Sequence, residues 1–224
     1  MNILLEAYLD RNFGDDLFVT LLINHYKEHQ FYLMDNDRRG FSLVNCSKYG
    51  NLHTLTEEEA FAQIEKYHVY ILVGGDYYPP YYSRYEGRVE RTAGIHKNGG
   101  NVLVLGASLY KDYPEDSLTA VREFFRQVDV VTFRDSLSYA KYKKILPVSC
   151  AFLSSDMMFT LAETMPKSEK KISGLSVLGI SIRNVLNASY GEYETYCKFI
   201  AQLVVAHLNK STENQVRFLG QRYG

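Results

Sequence analysis

Short apolar runs rich in branched residues, separated by stretches with helical spacing, fill the first two thirds of the chain. Val69-Tyr70-Ile71-Leu72-Val73 passes directly into Gly74-Gly75, and Val102-Leu103-Val104-Leu105 into Gly106, each with a helical segment nearby. Runs apolar at consecutive rather than alternate positions belong to strands buried on both faces, and parallel strands joined by helices bury both. Ile3-Leu4-Leu5 and Phe31 to Met34 read as further strands, and Val128 to Phe133 ends in Arg134-Asp135 before a helix over Ser136 to Lys144. Between the first two, Leu17, Phe18, Leu21, Leu22 and Tyr26 recur at helical spacing and predict a helix over Asp15 to His29, with Asp15 or Asp16 capping its first turn. Thr56 before Glu57-Glu58-Glu59 starts another, its acids at the positive end of the dipole.

This pattern predicts an α/β fold: a doubly wound, mostly parallel, Rossmann-like sheet with ligands outside the carboxyl ends of its strands. From Glu163 to Ser176 the composition turns polar, with Pro166, Gly174 and three lysines. The expected organisation is a Rossmann-like domain over 1–165, a linker over 166–176 and the beginning of a second, incomplete α/β domain over 177–224. In that last part Val177 to Ile182 and Val216 to Leu219 read as strands around a helix over Glu192 to Asn209.

Composition narrows the function. Lys+Arg 25 against Asp+Glu 26 leaves a net charge of -1 with no dense basic stripe, which argues against a nucleic-acid partner. Cys46, Cys150 and Cys197 are scattered without metal-type spacing, which fits a reducing compartment, the cytoplasm. No apolar stretch approaches the roughly 20 residues of a membrane span, and Asn2 to Leu5 meets Glu6 too soon for a signal peptide. Neither G-x-G-x-x-G after the first strand nor G-x-x-x-x-G-K-[ST] occurs, which argues against a dinucleotide-dependent dehydrogenase and a P-loop ATPase.

The residues with chemistry gather where strands end. In Asn12-Phe13-Gly14-Asp15-Asp16 the backbone N–H groups suit an anion, but two aspartates repel phosphate; a tight turn with an Asp cap is the alternative. A carboxylate there suits sugar hydroxyls or general-base work. Gly74 and Gly75 permit close approach of a ligand or answer to packing alone, Ser108 offers a hydroxyl at the same edge or belongs to an ordinary βα turn, and Arg134 presents a guanidinium suited to carboxylate or phosphate unless Asp135 or Asp156 engages it. Tyr77, Tyr78, Tyr81, Tyr82 and Tyr85 cluster around Pro79-Pro80, as a platform for sugar rings or a bent loop packed on its own domain. His25 and His29 stand one helical turn apart but have no third ligand, so no metal site is expected.

Taken in order, Asn12 to Asp16, Ile71 to Gly75, Val104 to Ser108, Thr132 to Ser138 and Ser155-Asp156 resemble the successive signatures of polysaccharide pyruvyl transferases. Gly179-Ile180-Ser181-Ile182-Arg183 resembles the strand that opens that family's second domain. The resemblance implies a two-domain, GT-B-like transferase moving a carboxyvinyl group from phosphoenolpyruvate to a sugar or lipid-linked saccharide of a cell-surface polysaccharide or its precursor, with phosphoenolpyruvate as substrate and no cofactor. It implies donor contacts from Arg183, Arg134, Gly74, Gly75 and Ser108, acceptor contacts from Asn12, Tyr77, Tyr78 and Tyr81, and a catalytic role for Asp15 and Asp16. The chain departs from the family at Asp76, where a third glycine is usual, and has no match to the later Arg/His-bearing segment that supplies the general acid. By itself it is therefore expected to be inactive. A nucleotide-sugar glycosyltransferase and a non-catalytic carbohydrate-binding protein are the alternatives.

Overall fold

A computed structural model describes residues 1–9, 13–35, 49–74, 82–109, 113, 115–146, 150–160, 176–181 and 190–219. The chain divides into two compact units, Met1–Met165 and Pro166–Gly224.

The first unit is built on seven strands: β1 (Asn2–Ala7), β2 (Gln30–Met34), β3 (Leu52–Leu55), β4 (Val69–Val73), β5 (Asn101–Ala107), β6 (Val130–Phe133) and β7 (Ala151–Leu153). They form one sheet in the order β3-β2-β1-β4-β5-β6-β7, and every pairing in it is parallel. This is the doubly wound arrangement expected from the sequence. The order reverses between β1 and β4, where Leu5 pairs with Ile71 and Ala7 with Val73. A parallel sheet opens a ligand crevice beyond the carboxyl ends at such a reversal.

Among the described residues five α-helices cover the sheet: α1 (Phe13–His25), α2 (Glu57–Phe61), α3 (Tyr82–Lys97), α4 (Glu115–Arg126) and α5 (Ser136–Ile145). Strand alternation explains the two cores. Leu4, Tyr70, Leu72, Val102 and Val104 pack on one face with Ala60 of α2, Ile95 of α3, Phe124 and Phe125 of α4 and Tyr142 of α5. Ile3, Leu5, Ile71 and Val73 point the other way and meet Phe18, Val19, Leu22 and Ile23 of α1. Consecutive residues of β1 and β4 are thus buried on opposite faces, which is why both runs are apolar without alternation.

The element ends differ from the sequence reading in places. α1 starts at Phe13 and ends at His25, so Asp15 and Asp16 lie inside its first turn rather than capping it. His29 falls beyond the helix in a bend, and the two histidines are not helical neighbours. Thr56 does open α2, with its hydroxyl accepting from Glu59 N at 3.1 Å and its own N–H donating to Glu59 Oε2 at 2.7 Å. Tyr82 and Tyr85 belong to α3 and not to a bent loop. The edge strands β3 and β7 were not legible: Leu52-His53-Thr54-Leu55 is half polar, and Ala151-Phe152-Leu153 is too short to register as a run.

In the second unit, β8 (Val177–Ser181) and β9 (Gln215–Leu219) pair in parallel, Val177 opposite Gln215, and α6 (Tyr190–Leu208) lies between them in the chain. Ser176 ties this βαβ unit together: its carbonyl accepts from Gln215 N at 3.0 Å and lies 3.2 Å from His207 Nε2. Phe199, Val205 and Phe218 are exposed.

Candidate functional site

At the sheet reversal the first turn of α1 closes onto the end of β4. Gly74 has φ +64, and a Cβ built on it would lie 2.8 Å from Asp15 Oδ1 and 3.0 Å from the Phe18 ring. Left-handed backbone and this close approach both call for glycine. Gly74 N donates to Leu105 O at 2.7 Å, which joins the turn to β5. Asp15 and Asp16 are only 5 % and 1 % exposed. Two carboxylates in a first turn complement the helix dipole, and of the two Asp15 is the one set against Gly74.

The second cluster lies at the ends of β5, β6 and β7. Gly106, with φ +72, sits where the β5–β6 register shifts, and its N–H donates to Thr132 Oγ1 at 2.9 Å. This irregularity precedes Ser108, which is 6 % exposed. Ser108 Oγ accepts from Arg134 Nε at 2.8 Å and donates to Asp135 Oδ2 at 3.4 Å. Arg134 Nη1 donates to Asp156 Oδ2 at 3.3 Å, and Asp156 Oδ1 accepts from Met158 N at 2.9 Å. Arg134 keeps a third of its side chain exposed, and its Nη2 group makes no hydrogen bond among the described residues.

Asp135 caps α5. Its Oδ1 accepts from Ser138 N at 2.7 Å and its Oδ2 from Ser138 Oγ at 2.7 Å. Ser138, fully buried, accepts in turn from Leu109 N at 2.7 Å. Burial pulls the Asp135 pKa upward, but the Ser138 N–H, the Ser138 and Ser108 hydroxyls and the Arg134 charge outweigh it, and the carboxyl titrates below the ordinary aspartate range.

A third polar group escaped the sequence reading. Glu6, near the end of β1, accepts from Arg88 Nε at 2.8 Å and Arg88 Nη2 at 2.6 Å on Oε1, and from Arg91 Nη2 at 3.2 Å and the Tyr70 hydroxyl on Oε2. Arg91 also binds Glu57 of α2. The pair of arginines one turn apart on α3 thus braces β1, β4 and α2 beside the sheet reversal. Burial would raise the Glu6 pKa; the charges of Arg88 and Arg91 and the hydrogen bonds from Tyr70 and Arg88 override it and hold the carboxyl down at about 2. The sequence did carry a signal: a glutamate within a strand buried on both faces needs cationic partners.

Of the residues singled out from sequence, Asp15 and Gly74 come together, and Ser108 and Arg134 come together. Both pairs follow strands at the carboxyl edge. Asn12, Gly75, Tyr77, Tyr78, Tyr81 and Arg183 lie outside the described residues. Among the described residues no group of three His, Cys, Asp or Glu side chains is arranged to hold a metal, and no helix is long and apolar enough to cross a membrane.

A family model described as polysaccharide pyruvyl transferase matches residues 1–222. No curated protein matches the chain by sequence. Among solved structures, an alpha-glucosyltransferase in complex with UDP and a 13-mer DNA containing a HMU base matches with a TM-score of 0.53 at 10% identity, over 81% of this chain and 49% of that one. An alpha-glucosyltransferase in complex with UDP-glucose and DNA containing an abasic site matches with a TM-score of 0.50 at 11% identity, over 88% and 53%. The chain therefore spans about half the length of these two structures, and at such identity the likeness is one of fold.

Proposed function

The chain belongs to the polysaccharide pyruvyl transferase family, and on that premise we propose that it serves the transfer of the pyruvyl unit of phosphoenolpyruvate, as a ketal, to a sugar of a cell-surface polysaccharide or its precursor. The observation that carries this reading is Arg134, fixed at the carboxyl edge of the sheet by Ser108 and Asp156 with Nη2 uncommitted among the described residues. A planar guanidinium held this way suits a carboxylate. Arg183, a further donor contact, rests on the family resemblance.

The chemistry sets what the site must supply. A proton added to the methylene carbon of phosphoenolpyruvate leaves an oxocarbenium centre at C2. One sugar hydroxyl adds there and loses its proton; phosphate departs with the C–O electron pair; a neighbouring hydroxyl then closes the ketal and loses its proton. Phosphoenolpyruvate and a diol give a pyruvate ketal and inorganic phosphate. Asp15 and Asp16 are the proposed bases on the acceptor side, with Asp15 the less covered of the two. A cytoplasmic site of action rests on cysteine usage.

Turnover is proposed for a longer polypeptide that brings a general acid and further cations to the departing phosphate. The test follows carboxyl-labelled phosphoenolpyruvate in the presence of saccharide acceptors. Label entering the saccharide with equal release of phosphate is expected from that longer form, and background release from the 224 residues alone. Transfer from a nucleotide sugar instead, or saccharide binding with no transfer from either donor, would overturn the assignment.

A further inference from the structure

We propose that Ser108 and Asp156 are positioning residues that hold the Arg134 guanidinium for a ligand carboxylate, and that Ser108 makes no contact with that ligand. The proposal rests on the reading of this edge as the donor site. It departs from the simpler expectation that a hydroxyl beside an arginine shares in binding the anion.

Donor and acceptor counting carries the argument. A serine hydroxyl has one proton and two lone pairs. At Ser108 a lone pair accepts from Arg134 Nε at 2.8 Å and the proton faces Asp135 Oδ2 at 3.4 Å. What remains is a lone pair, which repels an anion, on a side chain that is 6 % exposed. The hydroxyl is spent as a bridge between Arg134 and Asp135.

Arg134 is the reverse case. Two of its three nitrogens are engaged by groups that are themselves tied down: Asp156 by Met158 N at 2.9 Å, and Ser108 through Asp135 by Ser138 N at 2.7 Å. The clamp draws on the ends of β5, β6 and β7, so the guanidinium is fixed by three separate strand ends. Arginine ordinarily loses much rotamer freedom when it binds; here that freedom is removed beforehand, and Nη2 is left to the ligand.

The test is a double-mutant cycle on the 224-residue chain, with phosphoenolpyruvate at millimolar concentrations as the probe and ligand-observed phosphorus NMR as the readout. Ser108→Ala and Asp156→Asn should each weaken binding about tenfold, the size of one lost charge-assisted hydrogen bond, and Ser108→Thr, which keeps Oγ, should restore it. In an Arg134→Lys background, which has no Nε donor, Ser108→Ala should change nothing further. Without ligand, the Arg134 Nε proton should exchange slowly in the wild type and Ser108→Thr and rapidly in Ser108→Ala, at matched melting temperatures. An equal loss from Ser108→Ala in both backgrounds would identify a direct ligand contact and overturn the proposal, as would wild-type binding by Ser108→Ala and Asp156→Asn. Wild-type binding by Arg134→Lys and Arg134→Ala, or no binding by the wild type, would instead bring down the donor-site reading on which the proposal stands.

Discussion

Replacing Glu6 by glutamine removes one charge from the interior while keeping the side chain's size, and the geometry sets how much that costs. The Glu6 side chain is 18 % exposed and faces two guanidiniums that are 14 % and 5 % exposed, so solvent screens the interaction little. Its pKa falls from 4.5 to about 2 on folding, which corresponds to roughly 3 kcal/mol of stability at neutral pH. That agrees in size with the cost of breaking a buried pair from one side, which strands Arg88 and Arg91. Because the folded pKa is the lower one, the contribution is complete above pH 4.5 and is lost as the pH falls toward about 2. Urea unfolding followed by far-ultraviolet circular dichroism should therefore show Glu6→Gln less stable than the wild type by roughly 3 kcal/mol at pH 7. The gap should narrow below pH 4.5. Hydrogen exchange of the Leu4 and Leu72 amides reports the same change locally. A gap under about 1 kcal/mol at pH 7, the value expected of an exposed pair, or one that persists unchanged into acid, would refute this account of the network.

Gly74→Ala should destabilise by about 1–3 kcal/mol, since the new methyl meets Asp15 Oδ1 at 2.8 Å on a left-handed backbone; a midpoint in urea equal to the wild type's would show that the turn relaxes freely. Asp135→Ala removes the α5 cap and should cost about 1–2 kcal/mol. Since its pKa is depressed, the carboxylate's share of that loss is present above its unfolded value of 3.8 and vanishes as the pH falls below it; a stability difference independent of pH would assign the effect to packing instead.

Much of the candidate site was legible because parallel sheets put their strand ends on one edge. Once Val69 to Val73, Val102 to Leu105 and Val128 to Phe133 are read as parallel strands, Gly74, Ser108 and Arg134 must lie at the same edge. The Thr56 start of α2 was legible too, because capping couples residues only three apart. Whether Arg134 would meet Asp135 or Asp156 was not, since the choice depends on where the residues after β7 fall against β6, and β7 itself is defined only by its pairing with that strand.

Local chemistry in the chain determined the parallel α/β sheet: strands apolar on both faces have no stable alternative to helical cover on each side. Contacts across long separations were left to the tertiary structure. Glu6 meets Arg88 and Arg91 over 82 and 85 positions, and Ser108 meets Arg134 over 26. Periodicity and capping act within a turn or a strand and carry no information about such pairs, whereas sheet order and helix packing bring them within hydrogen-bond reach, where burial makes pairing obligatory.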